Sequence, residues 1–127
     1  MAAILVVDDE IDGTDAVVQV LRAAGHMVRV ARDGEEAIGA VSESKPDLIV
    51  LDMMMPRMDG LSFLGVLRSY LGWQLVPVVL QTAYPENVRT VEAERLGVRD
   101  VLMKGQIPLA EVRRRIEAAL EPQAADK

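Results

Sequence analysis

The sequence predicts a single α/β domain, residues 1–120, in which helices cover both faces of a parallel sheet. Short apolar runs alternate five times with segments whose apolar residues recur at helical spacing. Most of these runs are apolar throughout, which is typical of strands buried on both faces of a sheet. The chain has 127 residues, the length of one domain, and can bury a core without disulfides or a structural metal. Residues 121–127 are predicted to form a polar tail.

The first two strands and the helix between them follow from changes in residue spacing. Residues 4–7 form an apolar run that ends at a pair of aspartates. From Ala16 the apolar spacing becomes helical, and Gly25 is placed as the residue that follows the helix. Residues 27–31 alternate apolar with polar side chains, as a half-buried or edge strand does.

The middle of the chain repeats this alternation. Asp33 is predicted to cap the second helix, with Glu36 as the reciprocal member of a capping box. Residues 48–51 form the third predicted strand, and the loop after it ends in a tight turn at Gly60 before the third helix. The fourth strand is predicted at residues 76–80, with a proline at its entry.

The last quarter of the domain contains two helices and one strand. Pro85 is predicted near the first turn of the fourth helix, which ends before Gly97. Residues 98–103 form the last strand, and Pro108 starts the final helix. The apolar face of that helix is predicted from Leu109, Val112, Ile116 and Leu120.

Composition excludes several classes of chemistry. The absence of cysteine excludes disulfides, thiolate catalysis and thiolate metal sites, and one histidine cannot form a His-rich metal site. That residue, His26, follows a helix-ending glycine and is expected at the surface. The net charge of −6 argues against binding nucleic-acid phosphates. Without a basic leader or a membrane-length apolar run, we expect a cytoplasmic protein with no membrane or nucleic-acid partner.

Polar side chains collect where the predicted strands end. In an open parallel sheet these ends meet at one edge, where functional groups usually lie. The residues concerned are Asp8, Asp9, Glu10, Asp52, Thr82 and Lys104. Converging carboxylates repel one another unless a cation is present, and oxygen ligands suit Mg²⁺ or Mn²⁺. Lys104 and Thr82 would complete a receptacle for a tetrahedral oxyanion, with Asp52 as the candidate nucleophile on phosphorus.

Several motifs taken together resemble a known family. They are Asp8-Asp9-Glu10, the segment at 51–60 that contains Asp52, Thr82-Ala83, and Lys104. Over roughly residues 3–120 the chain resembles the receiver domain of two-component response regulators. The resemblance implies a flavodoxin-like, doubly wound five-stranded sheet in the order 2-1-3-4-5 with five helices. It further implies a stand-alone receiver or a piece of a larger regulator.

The resemblance also implies roles for individual residues. Asp52 would accept a phosphoryl group from a phosphohistidine of a sensor histidine kinase or histidine phosphotransfer protein. Asp9 would bind Mg²⁺ or Mn²⁺ directly and Asp8 mainly through water. Asp52 and the backbone carbonyl of Met54 would complete the protein's share of the metal site.

The remaining implied roles concern the phosphoryl group and the output. Lys104 and Thr82 would bind phosphoryl oxygens, and Ala83 is small enough to leave room for the group. The output surface would comprise the fourth helix, fifth strand and fifth helix, at about 86–96, 98–103 and 108–120. It would control an unidentified protein partner, with the domain a monomer or a phosphorylation-dependent dimer.

Two departures from the family pattern bear on how such a switch works. Val101 stands where the family usually has an aromatic residue that reports phosphorylation. Gly105 replaces the usual proline after the lysine, whose bond is cis in the family, and a cis bond before a residue other than proline costs about 3–4 kcal/mol.

Two other functions stay open on the residues alone. A degenerate receiver would serve only for binding or dimerisation. A metal-dependent phosphohydrolase would use an aspartyl-phosphate in multiple turnovers, although Glu10 stands where such enzymes place their second aspartate. As a receiver domain, the protein is not expected to be an enzyme, and its chemistry is expected to be limited to self-phosphorylation and self-dephosphorylation.

Overall fold

A computed structural model describes residues 2–53, 60–69, 76–83, 86, 88 and 90–121. In these residues five strands and five helices alternate along the chain. The strands are β1 (Ala3–Val7), β2 (Met27–Ala31), β3 (Leu48–Asp52), β4 (Val78–Thr82) and β5 (Val98–Met103). The helices are α1 (Ile11–Ala23), α2 (Gly34–Glu43), α3 (Gly60–Arg68), α4 (Thr90–Arg95) and α5 (Leu109–Leu120). All strand pairs are parallel, and the order β2-β1-β3-β4-β5 confirms the predicted topology.

The sheet separates two apolar layers. Residues of α2, α3 and α4 pack on one face, around the fully buried Phe63 of α3. Residues of α1 and α5 pack on the other, where Leu21 and Ile116 are fully buried. Because successive strand residues point to opposite faces, β1 and β3 contribute alternately to both layers. Covering both faces explains why the strands read as continuous apolar runs.

Several element boundaries differ from the prediction. β3 and β4 extend past their apolar runs to include Asp52 and Thr82, and β4 begins only at Val78. α1 begins at Ile11, whereas Val17 is its first residue described as buried. The apolar spacing, which becomes helical only from Ala16, therefore missed where α1 begins. α4 is described from Thr90, well after the predicted start at 85, and Pro85 lies outside the described residues.

The second helix begins as predicted. The Asp33 carboxylate accepts a hydrogen bond from the Glu36 amide (2.8 Å), as an N-cap does. The Glu36 side chain reaches back one residue further than a capping box requires and accepts from the Arg32 amide (3.2 Å).

A bulge in β5 changes which face its side chains meet. Val78 pairs with Val98 and Val79 with Asp100, so the register shifts by one residue at Arg99. The extra residue lets Val98 and Val101 pack against the same apolar layer. The Arg99 guanidinium donates to the carbonyls of Ala119 and Glu121 at the end of α5 (both 2.8 Å).

The surface differs from the prediction at two positions. His26 is not a surface residue: its side chain is 7 % exposed and its Nε2 lies 2.8 Å from Glu117 Oε2 of α5. Its Nδ1 accepts a hydrogen bond from the Ala2 amide (3.2 Å). Leu109, predicted on the apolar face of α5, is 43 % exposed because it lies in the first turn of that helix.

The free edge of β2 is occupied by a side chain. The Met27 amide donates to the Ala2 carbonyl, so the backbone groups of the next residue, Val28, point away from β1. The Arg22 guanidinium of α1 donates to the Val28 carbonyl (2.8 Å). Arg29 in the same strand donates to the Ala40 and Ser44 carbonyls at the end of α2 (2.8 and 2.6 Å).

Candidate functional site

Four strand ends bring polar side chains to one edge of the sheet, as the sequence predicted. Asp8 follows β1, Asp52 and Thr82 are the last residues of β3 and β4, and Lys104 follows β5. Asp8, Asp52 and Thr82 are 1 %, 4 % and 2 % exposed. Buried carboxylates are costly unless they are paired, so this burial indicates a site with a compensating charge.

Lys104 supplies that charge. Its Nζ lies 2.8 Å from Asp8 Oδ2, 3.1 Å from Glu10 Oε1 and 3.3 Å from Asp52 Oδ2. Burial alone lowers the pKa of Lys104, but its contacts with Asp8 and Glu10 and the charge of Asp52 outweigh burial and raise it above its usual range. Lys104 is therefore a fixed positive charge at this edge.

The two carboxylate oxygens of Asp8 have different partners. Its Oδ1 accepts a hydrogen bond from the Glu10 amide (2.8 Å). Its buried Oδ2 has no hydrogen-bond donor among the described residues, because Lys104 approaches it closely but outside hydrogen-bond geometry. We treat this contact as an ion pair, which leaves Asp8 Oδ2 able to accept a further partner.

The carboxylates fit a divalent cation. Within the described part of the chain, Asp8, Glu10 and Asp52 each offer an oxygen, and these oxygens lie within 4.8 Å of one another. All three offer oxygen ligands, and the buried Asp8 Oδ2 lacks a hydrogen-bond donor among the described residues. This set matches the chemistry of Mg²⁺, which binds through one or two carboxylates and keeps several waters.

Backbone hydrogen bonds tie the strand ends together. The Lys104 amide donates to the Thr82 carbonyl (2.8 Å), and the Met53 amide donates to the Gln81 carbonyl (2.9 Å). Thr82 and Lys104 are therefore fixed relative to each other through the main chain. Ala83, the next residue, is exposed at the rim of the site.

Gly60 is pressed against the backbone of Asp52. Its amide donates to the Met53 carbonyl (2.8 Å). A β-carbon at Gly60 would lie 2.9 Å from the Asp52 carbonyl oxygen and 3.1 Å from the Met53 α-carbon. The predicted turn at this glycine is thus a close approach that holds the start of α3 against the end of β3.

The structure brings most, but not all, of the predicted site residues together. Asp9 is exposed and is not one of the three clustered carboxylates. Met54 and Asp59 lie outside the described residues. Sequence reasoning missed the contact between Glu10 and Lys104. The available signal was the third acid after β1, but nothing local links it to a lysine 94 residues away.

The two departures in β5 also have a structural outcome. The Lys104–Gly105 bond is trans, since the described residues contain no cis peptide bond, and Gly105 has a φ of +78°. Val101 is partly buried and packs against the layer formed by α2, α3 and α4. Together with Val88, Ala93 and Val98 it lines a cavity of about 270 Å³ between α4 and β5.

Comparison with known proteins agrees with this geometry. The family model described as "Response regulator receiver domain" matches residues 4–117. The DNA-binding response regulator MtrA of Mycobacterium tuberculosis is 40% identical over 116 residues, which are 89% of this chain and 50% of MtrA. The alkaline phosphatase synthesis transcriptional regulatory protein PhoP of Bacillus subtilis is 38% identical, over 92% of this chain and 48% of PhoP. The chain spans about half the length of these two relatives.

Solved structures show the same fold. The chemotaxis protein CheY4 of Vibrio cholerae has a TM-score of 0.85 at 26% identity, and the match covers 94% of this chain and 98% of that one. None of the helices described here is long and apolar enough to cross a membrane.

Proposed function

This chain belongs to the family of response regulator receiver domains, and on that premise we propose that it is a phosphoacceptor switch in a two-component phosphorelay. The observation that carries the proposal is the Lys104 ammonium between two buried carboxylates, 2.8 Å from Asp8 and 3.3 Å from Asp52. A nucleophile, a fixed cation and an acidic pocket for a metal are what phosphoryl transfer to a carboxylate requires.

Asp52 is the phosphoacceptor in this proposal. One of its oxygens attacks the phosphorus of a phosphohistidine on a sensor kinase or phosphotransfer protein. The P–O bond to Asp52 forms as the P–N bond breaks, and the imidazole leaves with the electron pair. Its position on β3, which is buried in the centre of the sheet, fixes the direction of attack.

The other site residues stabilise the charge that develops on the phosphoryl oxygens. Lys104 is already within reach of Asp52, and Thr82 offers a hydroxyl donor from the neighbouring strand. Asp8 and Asp52, with Asp9 and the Met54 carbonyl as the resemblance implies, would hold Mg²⁺. The ion, when bound, neutralises charge on the transferring oxygens.

The proposed output is a change at the surface of α4, β5 and α5. Thr82 is linked to Lys104 through the main chain, so a hydrogen bond from Thr82 to the phosphoryl group would act at the ends of both β4 and β5. The cavity beside Val101 gives α4 room to repack. A protein partner would read this surface, where Val91 is 70 % exposed.

Intact mass measurement tests the proposal. The protein is incubated with Mg²⁺ and acetyl phosphate, and a phosphoryl adduct is expected for the wild type and absent in Asp52→Asn. Asp33→Asn is the matched control, because asparagine caps a helix as well as aspartate does, so this variant should form the adduct.

Other outcomes would support the competing functions. An adduct that persists in Asp52→Asn would contradict the assigned acceptor. No adduct in any variant would indicate a binding or dimerisation module. Repeated turnover of small phosphate esters would indicate a phosphohydrolase.

A further inference from the structure

The Glu10 carboxylate accepts a hydrogen bond from Lys104, the residue proposed to bind phosphoryl oxygens. We propose that Glu10 is an internal competitor of the phosphoryl group for Lys104, and so a positioning residue that weakens loading of the site. The inference rests on the proposed function, since it assumes that Lys104 binds phosphoryl oxygens.

Three carboxylates already contact Lys104, two of them through hydrogen bonds and one through an ion pair. An ammonium group has three N–H donors, and Lys104 faces three carboxylates, those of Asp8, Glu10 and Asp52. Hydrogen bonds run from its Nζ to Glu10 Oε1 at 3.1 Å and to Asp52 Oδ2 at 3.3 Å. A phosphoryl oxygen therefore competes with these carboxylates for Lys104, and it binds best when one of them gives way.

Burial identifies the carboxylate that gives way. The side chains of Asp8 and Asp52 are 1 % and 4 % exposed, whereas that of Glu10 is 68 % exposed. Breaking the contact of a buried carboxylate leaves an uncompensated charge, but the Glu10 carboxylate can return to water. The Glu10 amide stays bound to Asp8 Oδ1, so the displacement needs rotation of the side chain alone.

Charge adds to this competition. A phosphoryl group on Asp52 brings further negative charge next to Lys104, within reach of the Glu10 carboxylate. Glutamine keeps the length of the side chain and removes its charge, so Glu10→Gln should free Lys104 and remove a like-charge repulsion.

Two binding measurements separate this role from that of a metal ligand, because Glu10 also belongs to the carboxylate cluster. Calorimetry gives the affinity for Mg²⁺ alone. Fluorine NMR at saturating Mg²⁺ then gives the affinity for beryllofluoride, a phosphoryl mimic. Glu43→Gln is the matched control, since Glu43 is exposed at the end of α2, outside the site.

We expect Glu10→Gln to bind beryllofluoride roughly two- to fivefold more tightly than wild type, the range for an exposed ion pair. Because Glu10 belongs to the carboxylate cluster, the Mg²⁺ affinity of this variant should fall, but by less than about tenfold, and Glu43→Gln should match wild type in both measurements. Unchanged or weaker beryllofluoride binding by Glu10→Gln would overturn the inference, as would a Mg²⁺ affinity lowered about tenfold. If wild type and both variants all fail to bind beryllofluoride, the proposed function itself fails.

Discussion

The α-carbon of Gly60 lies so close to Asp52 that a β-carbon there would stand 2.9 Å from the Asp52 carbonyl oxygen. The β-carbon would be attached directly to the backbone and the carbonyl oxygen is part of it, so no side-chain rotation can relieve the contact. We expect Gly60→Ala to lower the free energy of unfolding by about 1–3 kcal/mol, as overpacking does. It should also weaken Mg²⁺ binding by displacing Asp52. Urea unfolding and calorimetry measure the two effects.

Gly65 in the same helix provides the control. A β-carbon there would meet nothing within 4 Å. Alanine is a better helix former than glycine, so Gly65→Ala should stabilise the domain by about 0.5–1 kcal/mol. Equal effects of the two substitutions would show that the Gly60 contact is unimportant.

Removing the charge of Lys104 should destabilise the domain when no cation is added. Asp8 and Asp52 would then be buried carboxylates without a counter-charge. We expect Lys104→Met to cost about 3–5 kcal/mol in urea unfolding with a chelator present. Saturating Mg²⁺ should restore part of that loss, because it replaces the missing positive charge. Lys45→Met, at an exposed position, should show neither effect.

Arg68 joins the ends of two elements through carbonyl oxygens. Its Nε donates to Leu96 beyond α4 (2.8 Å), and its Nη2 donates to Val76 before β4 (2.7 Å). Partial burial of the guanidinium lowers the pKa of Arg68. Lysine cannot reproduce this fork. Arg68→Lys should therefore cost about 1–3 kcal/mol in thermal or urea unfolding, whereas the exposed Arg95→Lys should have little effect.

The contact between His26 and Glu117 predicts a pH-dependent contribution to stability. Hydrogen bonding to His26, followed by the contact with Arg113, lowers the pKa of Glu117. A carboxylate with a lowered folded-state pKa stabilises the fold above its unfolded-state pKa. The contribution is lost as pH falls through the folded-state value.

Glu117→Gln isolates this effect. Wild type should be more stable than the variant near pH 7, which is well above the unfolded-state pKa of a glutamate, about 4.3. The difference should shrink as pH falls below about 4. Urea unfolding across this range measures it. A difference that stayed constant with pH would rule out the lowered pKa as its source.

The strands and most site residues were predictable because both depend on local patterns and one general rule. Buried parallel strands give apolar runs, and the ends of such strands meet at one edge of the sheet. That is sufficient to bring Asp8, Asp52, Thr82 and Lys104 together from positions far apart in the chain.

The features that were missed depend on partners distant in sequence. His26 follows a helix-ending glycine, a local sign of an exposed turn, yet its side chain is 7 % exposed and hydrogen-bonded to Glu117, 91 residues away. Asp52 and Thr82 belong to strands because their neighbours continue the sheet, which hydropathy cannot indicate. The bulge at Arg99 is likewise a property of pairing with β4.

The hydrogen bond from Arg22 to Val28 has a consequence for how copies of the domain meet one another. A sheet edge with unpaired carbonyls is a template onto which a strand of another molecule can add. At β2 the Val28 carbonyl is already taken by a charged donor from α1. An incoming strand would have to displace this guanidinium, so the contact opposes edge-to-edge pairing between copies of the domain.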